Sequence, residues 1–318
     1  MTKIKTFALA SFLAFAAVSN AATYAVVIGI NDYDSPTDAT GNPIKDERGN
    51  PVQLKLRGAV NDAVGVADLL KVKYNISDSK MLVLTDKMSN AQGFTTALKA
   101  TFGVLSPGDQ FVFYFSGHGS RIPVDGSKDA DGKGSAIVLS DLTLVRGDLF
   151  GSIANKLKSA GISSTFMFDS CFAGGMSRDS NIYGFRGARK KTLDAKKVRA
   201  KAISAASFKS LETVSDLKTK MVEQSPTQMA AEFAFIFASQ NDVVSIDLPK
   251  RDNSPAHGLF TLAALAVLRD QPTAASGEFV FAIKQFFDET FKNSDIKQRP
   301  TDEYSSAERA KAPVFIKG

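Results

Sequence analysis

Strand-length runs that are almost wholly apolar recur along this chain. TYAVVIGI (23–30), KMLVLT (80–85), DQFVFYFSG (109–117), STFMFDS (164–170) and EFAFIFASQ (232–240) show little alternation of polar and apolar positions. A strand with one wet face alternates, whereas a strand that is apolar throughout is covered on both faces, as in a parallel sheet between layers of helices. The intervening segments supply the helices. AVNDAVGVADLLKVKY (59–74) sets Val60, Ala63, Val64, Ala67 and Leu70 at helical spacing, and 90–102, about 148–160, 258–270 and 277–291 read the same way. The fold class is therefore α/β, a mainly parallel central sheet flanked by helices on both faces, with right-handed crossovers. AIVLS (136–140) and APVFIKG (312–318) are expected to add short strands.

Two segments break this rhythm. Residues 1–22 carry Lys3 and Lys5, an apolar run over 7–18 and small residues around Ala21, the layout of a signal peptide cleaved near Ala21 or Ala22. The expected location is secreted or periplasmic. The run is shorter than the roughly 20 residues that span a bilayer, so no stable membrane span is expected. Residues 176–229 form a basic, Ser- and Ala-rich insert, in which 208–220 has helical character. The rest, 23–318, reads as one domain that this insert interrupts.

The net charge of +6 suggests a nucleic-acid partner until its distribution is examined. Residues 186–220 alone contribute +8, and the remainder beyond the leader is mildly acidic. The basicity belongs to one segment, and no nucleic-acid partner is expected.

The chain has a single cysteine, Cys171 in FMFDSCFAGG (166–175), and two histidines. One cysteine forms no internal disulfide, so an exported fold must rely on its core. Taken alone, Cys171 reads equally as a small buried hydrophobe. Its position argues for more. The run from 109 ends in SGHGS, which places His118 just past the sheet, and the run from 164 ends in DSCFAGG, which places Cys171 in the matching place; ligand sites of open parallel sheets lie beyond such carboxyl ends. An imidazole can take the thiol proton and later protonate a leaving amine. The backbone N–H groups of Gly119 and Cys171 can receive an oxyanion. His257 opens a helix, where the dipole disfavours imidazolium, and has a structural or rim role.

These residues resemble a family. FVFYFSGHGS followed by FMFDSCFAGG is similar to the paired His and Cys motifs of caspase-like peptidases, particularly the metacaspase and bacterial caspase-like branch, and the spacing of the two matches the upstream histidine of that family. YAVVIGINDY, LRGAVNDA, FASQNDVV and HGLFTLAALAVL are similar to other parts of that branch. The resemblance implies a caspase-like fold, a His118–Cys171 dyad and cysteine endopeptidase activity on protein or peptide substrates. It also implies an acidic pocket for Arg or Lys before the scissile bond, at Asp62, Ser116 and Asp169. Calcium, which some metacaspases need, would fall at Asp148 and Asp179, although other expected positions are not acidic here; no cofactor is required by the dyad itself. The insert offers Arg186, Arg189, Lys190 and Lys191 to such a pocket, so the segment reads either as a site of self-processing or a plug for the cleft, or equally as a solvated flexible loop. Two readings stay open beside this one: a peptidase of the same fold preferring Asp or Asn, and a noncatalytic caspase-fold binding module. The oligomeric state is left open.

Overall fold

The computed structural model describes residues 21–38, 40–46, 48–123, 133–171, 189–190, 202–204, 231–239, 243, 245–250, 255–294 and 296–316. The leader up to residue 20, Asp179 and the helical segment expected at 208–220 lie outside the described residues.

The chain runs β1 (Thr23–Gly29), α1 (Ala59–Tyr74), β2 (Met81–Thr85), α2 (Ala91–Phe102), β3 (Gln110–Ser116), β4 (Gly119–Pro123), β5 (Lys133–Val138), β6 (Leu144–Arg146), α3 (Gly147–Ser159) and β7 (Ser163–Asp169). It continues with β8 (Arg189–Lys190), β9 (Ala202–Ile203), β10 (Phe233–Phe237), β11 (Ile246–Leu248), β12 (His257–Gly258), α4 (Leu259–Asp270), α5 (Ser276–Phe291), β13 (Thr301–Tyr304) and α6 (Ala307–Lys311). The central sheet has the order β13-β10-β7-β3-β1-β2, parallel except for β13. From β1 the chain steps outward to β2 and then returns to build in the other direction from β3. The order thus reverses between β1 and β3, where parallel sheets open a crevice at their carboxyl ends.

Residue parity along the strands sorts the core into two layers. Val112 and Tyr114 of β3 and Met167 of β7 pack toward α1, α4 and α5. Phe111, Phe113 and Phe115 of β3, with Phe166 and Phe168 of β7, pack toward α2 and α3. Both layers are sealed, which explains why the middles of these strands are apolar on both faces; each fully buried Phe contributes roughly 1.5–3 kcal/mol. The same parity sends Ser116 and Asp169, the last residues of β3 and β7, to the α1 and α4 side. Polar residues at the ends of otherwise apolar strands therefore emerge beneath the crevice on one face.

Two expectations are corrected. AIVLS forms part of β5, but β5 lies in a separate four-stranded sheet, β4-β5-β6-β9, where it is antiparallel to both neighbours. Only 139–143 separate it from β6, too short for the crossover that a parallel pair needs. The described part of APVFIKG, 312–316, forms no strand: Val314 and Phe315 bury their side chains in the first core layer, and Pro313 makes one isolated bridge to Ala275. The strand that closes the sheet is TDEY of β13, whose polar character suits an edge. Behind it, the buried Arg309 of α6 donates to Thr165 Oγ1 at 2.7 Å and to the Pro313 carbonyl at 3.0 Å. Burial pushes its guanidinium down to about 10.

Candidate active site

β3 and β7 are adjacent, parallel and in register, with Ser116 opposite Asp169. Two residues beyond each partner stand His118 and Cys171. Gly117 N–H donates to the Asp169 carbonyl at 3.2 Å, continuing the pairing past the sheet. At Gly119 the two segments touch: a Cβ built there would lie 1.9 Å from the Cys171 carbonyl oxygen. Only a residue without a side chain permits this approach, which sets the backbone of the histidine loop against that of the cysteine.

His118 is buried and held by the segment between β1 and α1. Its Nε2 lies 2.7 Å from the Leu54 carbonyl. A carbonyl only accepts, so Nε2 carries the hydrogen and, in the neutral ring, Nδ1 holds the lone pair of a base. His118 N–H donates to the Tyr33 hydroxyl at 2.7 Å, and the two rings lie 4.8 Å apart. Burial raises the Tyr33 pKa, keeping it a neutral phenol. Cys171 is fully buried; its Sγ accepts from Ser245 N–H at 2.7 Å and lies 3.4 Å from the Ser245 carbonyl. The Ser245 N–H offers a hydrogen to the sulfur of a thiolate, and its carbonyl accepts the hydrogen of the thiol.

Beneath this pair lie Asp62 and Asp169, both wholly buried. Asp62, in the first turn of α1, accepts from Ser116 Oγ at 2.7 Å, Gly258 N–H at 2.9 Å and His257 Nδ1 at 2.9 Å. Asp169 accepts from Ser245 Oγ at 2.7 Å, Thr261 Oγ1 at 2.6 Å and Thr261 N–H at 3.1 Å. Ser116 links the two, since it opposes Asp169 in the sheet and bonds Asp62. Both carboxylates reach Tyr114 electrostatically and, after burial, raise its pKa further. The N–H groups of Gly258 and Thr261 can only donate, so each side-chain carboxyl group has an acceptor oxygen committed to the backbone. The result is a buried acidic floor under a thiol and an imidazole.

A family model described as "Caspase domain" matches residues 22–310. The chain belongs to the caspase family. Among curated caspase-family relatives, Metacaspase-4 of Arabidopsis thaliana is 33% identical over 130 residues, 39% of this chain and 31% of that protein. Metacaspase-1B of Aspergillus niger is 29% identical over 168 residues, 49% of this chain and 37% of that protein. The match thus spans about a third of those relatives' length. Protein GSU0716 from Geobacter sulfurreducens, a solved structure, superimposes with a TM-score of 0.59 at 18% identity, covering 93% of this chain and 98% of that one. It shares the fold.

Within this caspase-family fold the structure gathers Asp62, Ser116, His118, Gly119, Asp169 and Cys171 at one place. Asp148 stands apart, in the first turn of α3, 2.9 Å from Arg146. Among the described residues no group of three or more His, Cys, Asp or Glu could hold a metal ion. With Asp148 committed to Arg146, the described residues do not assemble a calcium site, and no step below uses one. Leu54 and Ser245 are participants outside every motif, while Tyr33 and Thr261 fall within YAVVIGINDY and HGLFTLAALAVL with no role marked for them. A backbone carbonyl carries no sequence signal, and the three hydroxyl residues sit in loops or at a helix start whose approach to the strand ends is purely tertiary.

Two short pieces of the insert are described. β8 pairs antiparallel with β11, Arg189 opposite Asp247 and Lys190 opposite Ile246, and β9 pairs in parallel with β6. β11 begins directly after Ser245, so the β8 backbone passes beside the residue that holds the thiol.

Proposed function

We propose that the protein is a cysteine endopeptidase that hydrolyses peptide bonds after Arg or Lys, with His118 and Cys171 as the dyad. The observation that carries this reading is the register of β3 and β7, which stacks a thiol and an imidazole above two buried carboxylates. A basic side chain inserted toward Asp62 and Asp169 exchanges its hydration for two negative charges, while an acidic one meets like charge. His118 Nδ1 takes the proton from Cys171 Sγ, and sulfur attacks the carbonyl carbon. The oxyanion forms against the N–H groups of Gly119 and Cys171. His118 returns the proton to the leaving amine, and water then hydrolyses the thioester with His118 as base.

The leader supports a secreted or periplasmic enzyme, and cell fractionation tests it. Among the described residues no helix is long and apolar enough to cross a membrane. The place of β8 beside β11 supports the insert as an internal substrate or a plug. The test is purified wild type against Cys171→Ala, with and without calcium, on peptides differing only in Arg, Lys, Asp or Asn before the cut. Cleavage after Arg and Lys, with fragments from the insert only in wild type, is expected; preference for Asp or Asn overturns the pocket, and equal inactivity of both proteins overturns the enzyme.

A further inference from the structure

Gln298 lies in the segment before β13, remote in sequence from every motif, and is 1% exposed. Its Oε1 accepts from Ile246 N–H at 3.0 Å, and its Nε2 donates to the Ala238 carbonyl and to Ser245 Oγ, both at 3.1 Å. Ile246 N–H offers only a hydrogen and the Ala238 carbonyl only lone pairs, so the amide has a single orientation. One side chain thereby ties the residue after β10 to the residues that open β11, clasping the loop between them. Arg299 holds this segment in turn, donating to the Gln298 carbonyl at 2.7 Å and to Asp288 of α5 at 2.5 Å.

Within that clasp Ser245 faces the site with two groups. Its N–H meets Cys171 Sγ, and its hydroxyl meets Asp169 Oδ1. Because Ser245 Oγ already receives the Gln298 N–H, its one hydrogen is directed to Asp169. The same logic holds on the other side: Thr261 gives its hydroxyl hydrogen to Asp169, so Tyr114, 2.5 Å from Thr261 Oγ1, must donate to Thr261. Two relays of donors, begun by Gln298 and Tyr114, converge on one carboxylate.

We propose that Gln298 is a positioning residue of this peptidase, acting through Ser245 on the nucleophile and on the floor of the pocket at once. It touches neither thiol nor Asp169. Its amide fixes where the Ser245 N–H points, and with it the thiolate character of Cys171; it also fixes the direction of the Ser245 hydroxyl, and with it the shape of the charge offered to a basic side chain. The proposal rests on Cys171 as nucleophile and, for its second half, on the Arg or Lys pocket.

Cys171 is the only cysteine, so labelling with uncharged iodoacetamide, followed by intact mass across pH, reads this thiol without any substrate. Full-length wild type, Gln298→Met, Gln298→Glu and Ser245→Ala are compared by labelling, by thermal melting and by kcat and KM on an Arg peptide. Gln298→Met is expected to move the labelling curve to higher pH, with labelling at pH 7 slowed about 5- to 10-fold. It lowers kcat/KM about 10- to 100-fold, through both kcat and KM. Ser245→Ala acts mainly on KM, and the double variant raises KM no further than Gln298→Met alone, since both cut one relay. Gln298→Glu keeps the acceptor for Ile246 N–H but replaces the donor to Ser245 by an acceptor, so it reproduces the labelling defect even if the Met variant does not fold. Wild-type labelling curves in the folded Gln298 variants overturn the proposal, as do KM effects that multiply. If the enzyme prefers Asp peptides, the pocket reading fails while the labelling curves still decide the role of Gln298.

Discussion

The dyad and the acidic floor share two strand ends yet are held in opposite ways. His118 and Cys171 stand beyond the sheet, their reactive atoms resting on backbone groups of Leu54 and Ser245. Asp169 ends β7 and Asp62 lies in the first turn of α1, both ringed by side-chain and backbone donors from β3, β12, α4 and the loop before β11. Removing a dyad side chain leaves a single backbone group without its partner. Removing a carboxylate strands several buried donors at once, each costing about 1–3 kcal/mol. Chemistry is therefore separable from stability at the dyad and inseparable from it at the floor.

The largest test of that contrast is Cys171→Ala, which is expected to lower peptide hydrolysis by about 10⁴-fold or more while leaving urea unfolding within about 0.5 kcal/mol of wild type. A marked loss of stability would break the comparison. Gly119→Ala places a methyl group against the Cys171 carbonyl, so the two loops must part; loss of the oxyanion donors then lowers kcat about 10²- to 10³-fold, measured in the same peptide assay. Asp169→Ala tests the other side. It is expected to destabilise the fold by about 2–4 kcal/mol, read by denaturant titration, because the Ser245 and Thr261 donors lose their acceptor. A neutral effect there would mean that the floor is no better anchored than the dyad. The smallest effect belongs to Tyr33→Phe, which removes the acceptor of His118 N–H: about 1 kcal/mol, or roughly 5-fold in kcat, with thermal melting little changed.

The strands that build the site were legible because they are buried on both faces, so their apolar runs need no partner to be recognised. His118, Cys171 and Asp169 were legible for a related reason: polar residues ending such runs stand out. Asp62 was legible only through the resemblance carried by LRGAVNDA, and the packing of α1 beside β3 is what turns it toward Ser116. β13 was missed because an edge strand with polar residues lacks the run that marks its neighbours, and the apolar APVFIKG drew attention in its place. Gln298 was invisible for a deeper reason. A lone glutamine between Lys297 and Arg299 reads as surface, and its burial follows from a clasp on two other strands that no local pattern encodes.

The saturated carboxylates also bear on how this chain can change over generations. Substitution of the thiol or the imidazole carries little folding penalty, so hydrolysis can vanish in one mutation and leave a sound protein. The acidic floor has no such exit, because each step away from it passes through a poorly folded intermediate. Descendants that abandon catalysis should therefore keep the two buried carboxylates and their donors long after losing the means to cut.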